Sequence, residues 1–197
     1  TGQHREMLEQ VLSFFDIVPD VRLDAMVADA TLGQLTARLV TATEQFLLDR
    51  RPAMTLVHGD TATTLATSLA AYFTRTQLGH VEAGLRTHDK FAPWPEEINR
   101  RLTGGVADVH FAPTTRARAN LLAEGVADGD IIVTGNTVID ALHLAATRIE
   151  SIETDTLAKS FPFLNDGRRV ILVTGHRREN FGTGITSICD ALLKLAD

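Results

Sequence analysis

The sequence predicts an α/β fold built on parallel sheets. Short apolar runs alternate with helical patterns along most of the chain, as strands and crossover helices do in βαβ units. The runs are continuous rather than alternately polar and apolar, which is typical of strands covered on both faces. A polar connector at 150–168 interrupts this alternation before a new apolar run begins. We therefore expect two Rossmann-like domains: residues 1–149, and a second domain at 169–197 that is only begun.

The N-terminal quarter predicts two helices and a short strand. Apolar side chains recur at three- and four-residue steps within residues 4–15, which indicates an amphipathic helix. Apolar and polar residues alternate around Val21 and Leu23, so a short strand is expected within 18–25. A second helix is predicted from Thr31 to about Arg50, because its leucines fall on one face.

The middle of the chain repeats strand and helix four times. Each predicted strand runs into turn residues and then a helix, and Asp60 or Thr61 is the expected N-cap of the first. The predicted strands are 54–57, 77–82, 108–112 and 131–133, with a further strand at 170–173 in the second domain. The helices are predicted at 61–75, 95–103, 113–124, 137–148 and 184–196.

Acidic side chains stand where two neighbouring strands end. Asp60 follows one strand and Glu82 follows the next. Because carboxyl ends of parallel strands share one edge of a sheet, we expect these carboxylates to be neighbours. Nearby carboxylates raise each other's proton affinity, which suits general acid and base roles. A helix cap is the competing interpretation of Asp60, whereas the position of Glu82 before Ala83-Gly84 suggests no capping role.

The loop after Glu82 leads into Pro95-Glu96-Glu97, a typical helix start. A glutamate in the first helical turn stabilises the helix through its dipole by ~0.3–1 kcal/mol. This structural role is a sufficient explanation for the presence of both Glu96 and Glu97. Of the two, Glu97 fits that purely structural role better. Glu96 is therefore the third candidate acid.

A basic pair follows the predicted strand of the second domain. His176 and Arg177 precede a glycine-containing turn and a helix, so they form a candidate anion site. A solvated basic turn is the alternative. His58 and His80 adjoin buried strands, and we expect both to be hydrogen-bonded core histidines. The other histidines show no metal-ligand spacing.

Composition narrows the possible functions. The 197 residues carry a formal net charge of −6, which argues against a nucleic-acid binder but allows a local basic pocket. Cys189 is the only cysteine, so an internal disulfide framework is excluded and a cytoplasmic location fits. No apolar run is long enough to span a bilayer, and no membrane partner is expected. Neither GxGxxG nor a P-loop motif occurs, which disfavours dinucleotide and P-loop enzymes.

Together these features indicate a cleft at the strand ends with carboxylates on one wall and His and Arg on the other. Such a cleft suits an anionic, diphosphate-bearing substrate. Six motifs in this order resemble the bacterial non-hydrolysing UDP-N-acetylglucosamine 2-epimerases over essentially the whole chain. The motifs are QHREML at 3–8, VHGDTATTLATSLAAYF at 57–73, GHVEAGLRT at 79–87, PWPEEINRRLTG at 93–104, TGNTVIDAL at 134–142 and TGHRRENFG at 174–182.

The resemblance implies a GT-B type fold with the nucleotide sugar in the cleft, and a cytoplasmic homodimer without NAD or metal that serves polysaccharide biosynthesis. It implies reversible C2 epimerisation of UDP-N-acetylglucosamine to UDP-N-acetylmannosamine, through elimination of UDP and re-addition to 2-acetamidoglucal. Asp60, Glu82 and Glu96 match the family's acidic residues, and His176 matches a histidine at the diphosphate. Asp60, Glu82, His176 and Arg177 are the substrate-binding candidates. Gln3, Arg38, Glu96 and Arg177 match candidates for contacting an activating second UDP-N-acetylglucosamine.

Two family segments are absent from this sequence: an N-terminal glycine-rich strand and turn, and a later Asp-Ser-Gly-Gly segment. The chain also opens on Thr1 in one helical pattern and closes in another. We therefore expect a fragment whose first strand is missing and which is inactive alone. A hydrolysing 2-epimerase, a GT-B glycosyltransferase and a catalytically dead nucleotide-sugar sensor are the alternative functions.

Overall fold

The computed structural model describes residues 5–23, 25–27, 29–152, 158–165, 167, 169–174 and 183–196. Its backbone divides into two compact units, Thr1–Leu144 and Ala145–Asp197. The helices are α1 (Arg5–Phe14), α2 (Leu32–Arg50), α3 (Ala62–Thr74), α4 (Glu96–Val106), α5 (Thr115–Ala123), α6 (Thr137–Glu150) and α7 (Thr183–Ala196). The strands are β1 (Met54–His58), β2 (Gln77–Val81), β3 (Val109–Ala112) and β4 (Ile131–Val133). The domain boundary expected within 150–168 stays a prediction.

The four strands form one parallel sheet in the order β1-β2-β3-β4, which confirms the predicted α/β class. Strands that are neighbours in the sheet are also consecutive in the sequence. Right-handed crossovers therefore place α3, α4 and α5 on the same face. On that face Leu78 is buried against α3, and Ala112 is buried against α5. The covered face of the sheet is the core of the first unit.

The opposite face of the sheet is more open than the sequence suggested. Met54 and Leu56 of β1 point to this face, and Leu56 is 61% exposed. Continuous apolar strands led us to expect cover on both faces. Within the described residues, that cover is missing over β1.

The first unit is completed by α2, which packs along α3. Thr31 caps α2 and forms a capping box with Gln34: the Thr31 hydroxyl accepts the Gln34 N–H, and the Gln34 side chain accepts the Thr31 N–H. Small side chains of α3, such as Ala66 and Ala70, are buried completely. Their size lets α2 approach α3 closely, with Leu39 in the contact.

Two predicted strands are wrong. The described residues of 18–25 form no strand; Ala25 instead packs among buried residues of α2 and α3, including Leu39 and Ala66. The apolar run Val170–Val173 also forms no strand, and Leu172 is 86% exposed. A strand exists only with a neighbour to pair with. No described segment pairs with this run.

Candidate active site

The turn after β1 is fixed from several sides. Gly59 has φ +70°, its N–H donates to the Val81 carbonyl at 3.0 Å, and its own carbonyl accepts from His80 Nε2 at 2.8 Å. The Thr61 hydroxyl accepts the Thr64 N–H as the N-cap of α3. Thr61 therefore supplies the cap, and the Asp60 side chain is left for another role.

The Asp60 carboxylate is held by α4. Its Oδ2 accepts from Arg100 Nε at 2.8 Å and lies 2.7 Å from Arg100 Nη2. Asn99 Nδ2 donates to the Asp60 backbone carbonyl at 2.8 Å. Two consecutive residues of α4, Asn99 and Arg100, therefore hold this turn by hydrogen bonds. No described residue donates to the other carboxylate oxygen, Oδ1. Asp60 is thus oriented through one oxygen while the second is available.

Glu82 lies beside the same turn. It follows β2 with φ +66°, and its Oε2 is 3.4 Å from the point where a Cβ on Gly59 would stand. The carboxylate therefore lies within contact distance of the Gly59 turn. This is the neighbourhood of Asp60 and Glu82 that the strand order predicted.

Glu96 opens α4 one helical turn before Arg100. Residues four apart share a helix face, so Glu96 and the arginine that binds Asp60 lie on the same side of α4. Glu96 Oε2 is buried, and no described group makes a hydrogen bond to it. Leaving such an acceptor unpaired costs roughly 1–3 kcal/mol, which a bound donor would recover. Asp60 and Glu82 therefore lie at the carboxyl ends of β1 and β2, and Glu96 lies on the face of α4 whose Arg100 holds Asp60.

Glu97 does more than stabilise the helix dipole, so the simpler interpretation of this residue is wrong. It is 0% exposed. Its Oε1 accepts the His88 N–H at 3.1 Å, and its Oε2 accepts the Thr87 N–H at 3.0 Å and lies 3.3 Å from Arg100 Nη1. The spacing of three residues between Glu97 and Arg100 was the sequence signal for this contact.

A second ion pair, which the sequence did not suggest, connects the loop after β2 with the C-terminal end of α5. The side chain of Arg86 is 0% exposed. Its Nε and Nη2 donate to the two carboxylate oxygens of Glu124 at 2.8 and 2.7 Å. The hydrogen bond from Arg86 lowers the pKa of the Glu124 carboxyl.

The same loop approaches α5 closely at Gly84. This glycine has φ +85°, and an added Cβ would stand 2.2 Å from the Ala117 carbonyl oxygen.

The two histidines at adjacent positions of β2 and β3 are buried. His80 and His110 are register partners across the strands. Burial lowers the pKa of both imidazoles, to about 4 for His80. Because His80 Nε2 donates to Gly59, its Nδ1 would carry the added proton, and Nδ1 has no described partner. The expectation of a hydrogen-bonded core histidine is confirmed for His80.

His58 is exposed, so the expectation that it belongs to the core is wrong. Its Nε2 lies 3.2 Å from the hydroxyl of Thr137, the first residue of α6. β1 and β4 are at opposite ends of the sheet. The segment that follows β4 therefore crosses the carboxyl edge of the sheet to reach β1.

The remaining predicted site residues are placed as follows. Arg38 is exposed on α2. Gln3, His176 and Arg177 lie outside the described residues. In the part of the chain that the structure describes, no group of three or more His, Cys, Asp or Glu side chains is arranged to hold a metal. No described helix is both long and apolar enough to cross a membrane.

Comparisons with known proteins agree on one family. A family model described as UDP-N-acetylglucosamine 2-epimerase matches residues 1–197. The UDP-N-acetylglucosamine 2-epimerase of Salmonella typhimurium is 54% identical over 198 residues, which cover 100% of this chain and 53% of that protein. The same-named protein of Escherichia coli K12 is 52% identical, with the same coverage. The chain thus spans about half the length of these curated relatives.

Solved structures give the same result. The crystal structure of UDP-GlcNAc 2-epimerase from Neisseria meningitidis bound to UDP-GlcNAc matches with a TM-score of 0.92 and 47% identity, over 98% of this chain and 53% of that one. The Methanocaldococcus jannaschii UDP-GlcNAc 2-epimerase in complex with UDP-GlcNAc and UDP matches with a TM-score of 0.81 and 33% identity, over 94% of this chain and 50% of that one.

Proposed function

Because the chain belongs to the UDP-N-acetylglucosamine 2-epimerase family, we propose that the whole protein interconverts UDP-N-acetylglucosamine and UDP-N-acetylmannosamine. The observation that carries the proposal is the placement of Asp60 and Glu82 at the carboxyl ends of β1 and β2, with Glu96 on the face of α4 whose Arg100 holds Asp60. This edge of a parallel sheet is where α/β folds bind ligands.

The reaction needs acid–base groups on both sides of one carbon. A base removes the C2 proton, and the electrons of that C–H bond form the C1=C2 double bond of 2-acetamidoglucal. The C1–O bond breaks, and UDP leaves with its electron pair. Re-addition reverses these steps, with the proton delivered to the opposite face of C2. At least one carboxylate must accept a proton, and a protonated group must supply one.

The local environments of the three acids suit this chemistry. Asp60 is held by Arg100 through Oδ2 only, so Oδ1 is free to face a ligand. No described residue makes a hydrogen bond to the Glu82 carboxylate. Glu96 has a buried oxygen without a partner, which a substrate hydroxyl or an added proton would fill. Asp60, Glu82 and Glu96 are thus the acid–base groups of the proposed reaction.

The support for the diphosphate and activator sites is the resemblance of this sequence to the family. His176 and Arg177 match TGHRRENFG and hold the leaving diphosphate, with His176 also taking part in the chemistry. Gln3, Arg38, Glu96 and Arg177 contact a second UDP-N-acetylglucosamine that activates the enzyme. The whole protein acts as a cytoplasmic homodimer in polysaccharide biosynthesis, within a GT-B fold of two domains.

Product analysis from both directions tests this function. The whole protein is incubated with UDP-N-acetylglucosamine, or with UDP-N-acetylmannosamine, and the products are separated by ion-pair chromatography. Both reactions should reach the same mixture of the two nucleotide sugars. Free N-acetylmannosamine with UDP would show a hydrolysing 2-epimerase instead. Binding without any product would indicate a sensor or a glycosyltransferase and would contradict the proposal.

A further inference from the structure

Glu97 is a buried carboxylate that the proposed reaction does not use. It is 0% exposed, so it does not reach a ligand in the cleft. An ionised carboxylate removed from water is stable only when paired and hydrogen-bonded. Glu97 meets this requirement with two backbone N–H groups and one guanidinium.

The guanidinium connects Glu97 with Asp60. Arg100 turns Nη1 towards Glu97 at 3.3 Å, and its Nε and Nη2 towards Asp60 at 2.8 and 2.7 Å. The five N–H groups of arginine lie in one rigid plane. Fixing the Nη1 corner therefore also fixes the edge that binds Asp60. Without Glu97, the guanidinium would be free to rotate away from the Asp60 carboxylate.

The two backbone contacts connect Glu97 with the loop. The N–H groups of Thr87 and His88 both point at its carboxylate, at 3.0 and 3.1 Å. This loop leads from Glu82 back to the start of α4, where Glu96 stands. One side chain therefore fixes both the loop between two candidate acids and the arginine that orients the third.

We propose that Glu97 is a positioning residue for the epimerisation, holding Arg100 on Asp60 and the turn at 87–88 on α4. This inference rests on the proposed function. A glutamine at this position offers one acceptor oxygen and one donor in place of two acceptors. It therefore cannot satisfy His88, Thr87 and Arg100 together.

The first test is the Glu97→Gln variant of the whole protein. We expect kcat to fall by roughly tenfold to hundredfold, because small misplacements of reacting groups slow a reaction by such factors. KM should change less than about threefold, because Glu97 does not touch the substrate. The matched control is Glu124→Gln, which weakens the ion pair with Arg86 in the same loop and contacts neither Asp60 nor Arg100. Its kcat should stay within about threefold of wild type if positioning of Asp60 is what matters.

A double-mutant cycle separates positioning from a general loss of structure. In an Arg100→Gln background the connection to Asp60 is already cut and only the contacts to the loop at 87–88 remain to be lost, so adding Glu97→Gln should lower kcat by a smaller factor than it does in wild type. An equal fold-reduction in both backgrounds, or a wild-type kcat in the single variant, would overturn the inference.

Amide hydrogen exchange gives a readout that does not depend on turnover. Exchange at Thr87 and His88 should be faster in Glu97→Gln than in wild type or Glu124→Gln. Unchanged exchange at both amides would also overturn the inference. A wild-type protein without epimerase activity would contradict the proposed function, whereas an active wild type with an unaffected Glu97→Gln variant would contradict this inference alone.

Discussion

The buried imidazole of His80 predicts a loss of stability in mild acid. The pKa of His80 is about 4 in the folded protein, against 6.5 for an unperturbed imidazole. Between these values the unfolded chain binds a proton that the folded chain does not. The free energy of unfolding therefore has its full value above pH 6.5, falls as the pH drops towards 4, and falls no further below it.

The magnitude follows from the two pKa values. A difference of 6.5 against about 4 corresponds to about 3 kcal/mol when the whole interval is crossed. Lowering the pH from 7.5 to 5.0 crosses part of it, and the linkage relation gives a loss of about 2 kcal/mol. Burial lowers the pKa of His110 as well, so its contribution has the same sign.

Urea denaturation of the whole protein at pH 7.5 and 5.0 measures this loss in the free energy of unfolding. Hydrogen–deuterium exchange of β2 reports the unfolding of the strand that carries His80. The His80→Gln variant keeps a donor for the Gly59 carbonyl but does not titrate. Its loss between the two pH values should be smaller than the wild-type loss by about 2 kcal/mol. His58→Gln, a change at an exposed histidine, should retain the wild-type loss. An equal loss in wild type and His80→Gln would refute the reasoning.

Two further predictions concern the acids and the loop. Asp60→Asn should lower kcat by at least about a hundredfold with nucleotide-sugar binding retained, because it removes a charged acid–base group; steady-state kinetics and calorimetric titration check this. Near-normal kcat would remove Asp60 from the chemistry. Gly84→Ala should destabilise the protein by about 2–3 kcal/mol, because its Cβ would stand 2.2 Å from the Ala117 carbonyl oxygen at φ +85°. Gly105→Ala is the matched control: nothing lies within 4 Å of its Cβ, and a gain of about 0.5–1 kcal/mol is expected in thermal denaturation. Equal melting temperatures would contradict the close approach at Gly84.

The sheet and the position of two acids followed from local rules. Alternating apolar runs and helices predicted the parallel strands β1 to β4, and the shared edge of such strands predicted that Glu82 lies beside the turn of Asp60. Both rules depend on sequence order and handedness. The N-cap at Thr61 was one of two adjacent possibilities, and only the hydrogen bond to Thr64 decides between them.

The sequence predictions that were wrong or missing concern residues whose environment depends on distant parts of the chain. The sequence predicted that Glu97 only stabilises the start of its helix. Its burial depends on the loop at 87–88, whose backbone N–H groups donate to its carboxylate. The pairing of Arg86 with Glu124 joins residues 38 positions apart, and no local pattern signals it. The run Val170–Val173 has the composition of a strand but no described neighbour to pair with. Local propensity specifies what a segment prefers, and tertiary contacts decide what it becomes.

The central claim is that carboxylates at the ends of β1 and β2 exchange the proton at C2 of the sugar. A proton NMR time course of the whole protein with UDP-N-acetylglucosamine in deuterated water tests it most directly. We predict that UDP-N-acetylmannosamine appears with deuterium at C2, and that deuterium also enters C2 of the remaining UDP-N-acetylglucosamine as the reaction reverses. Epimerised product that retains the original C2 proton would contradict the claim.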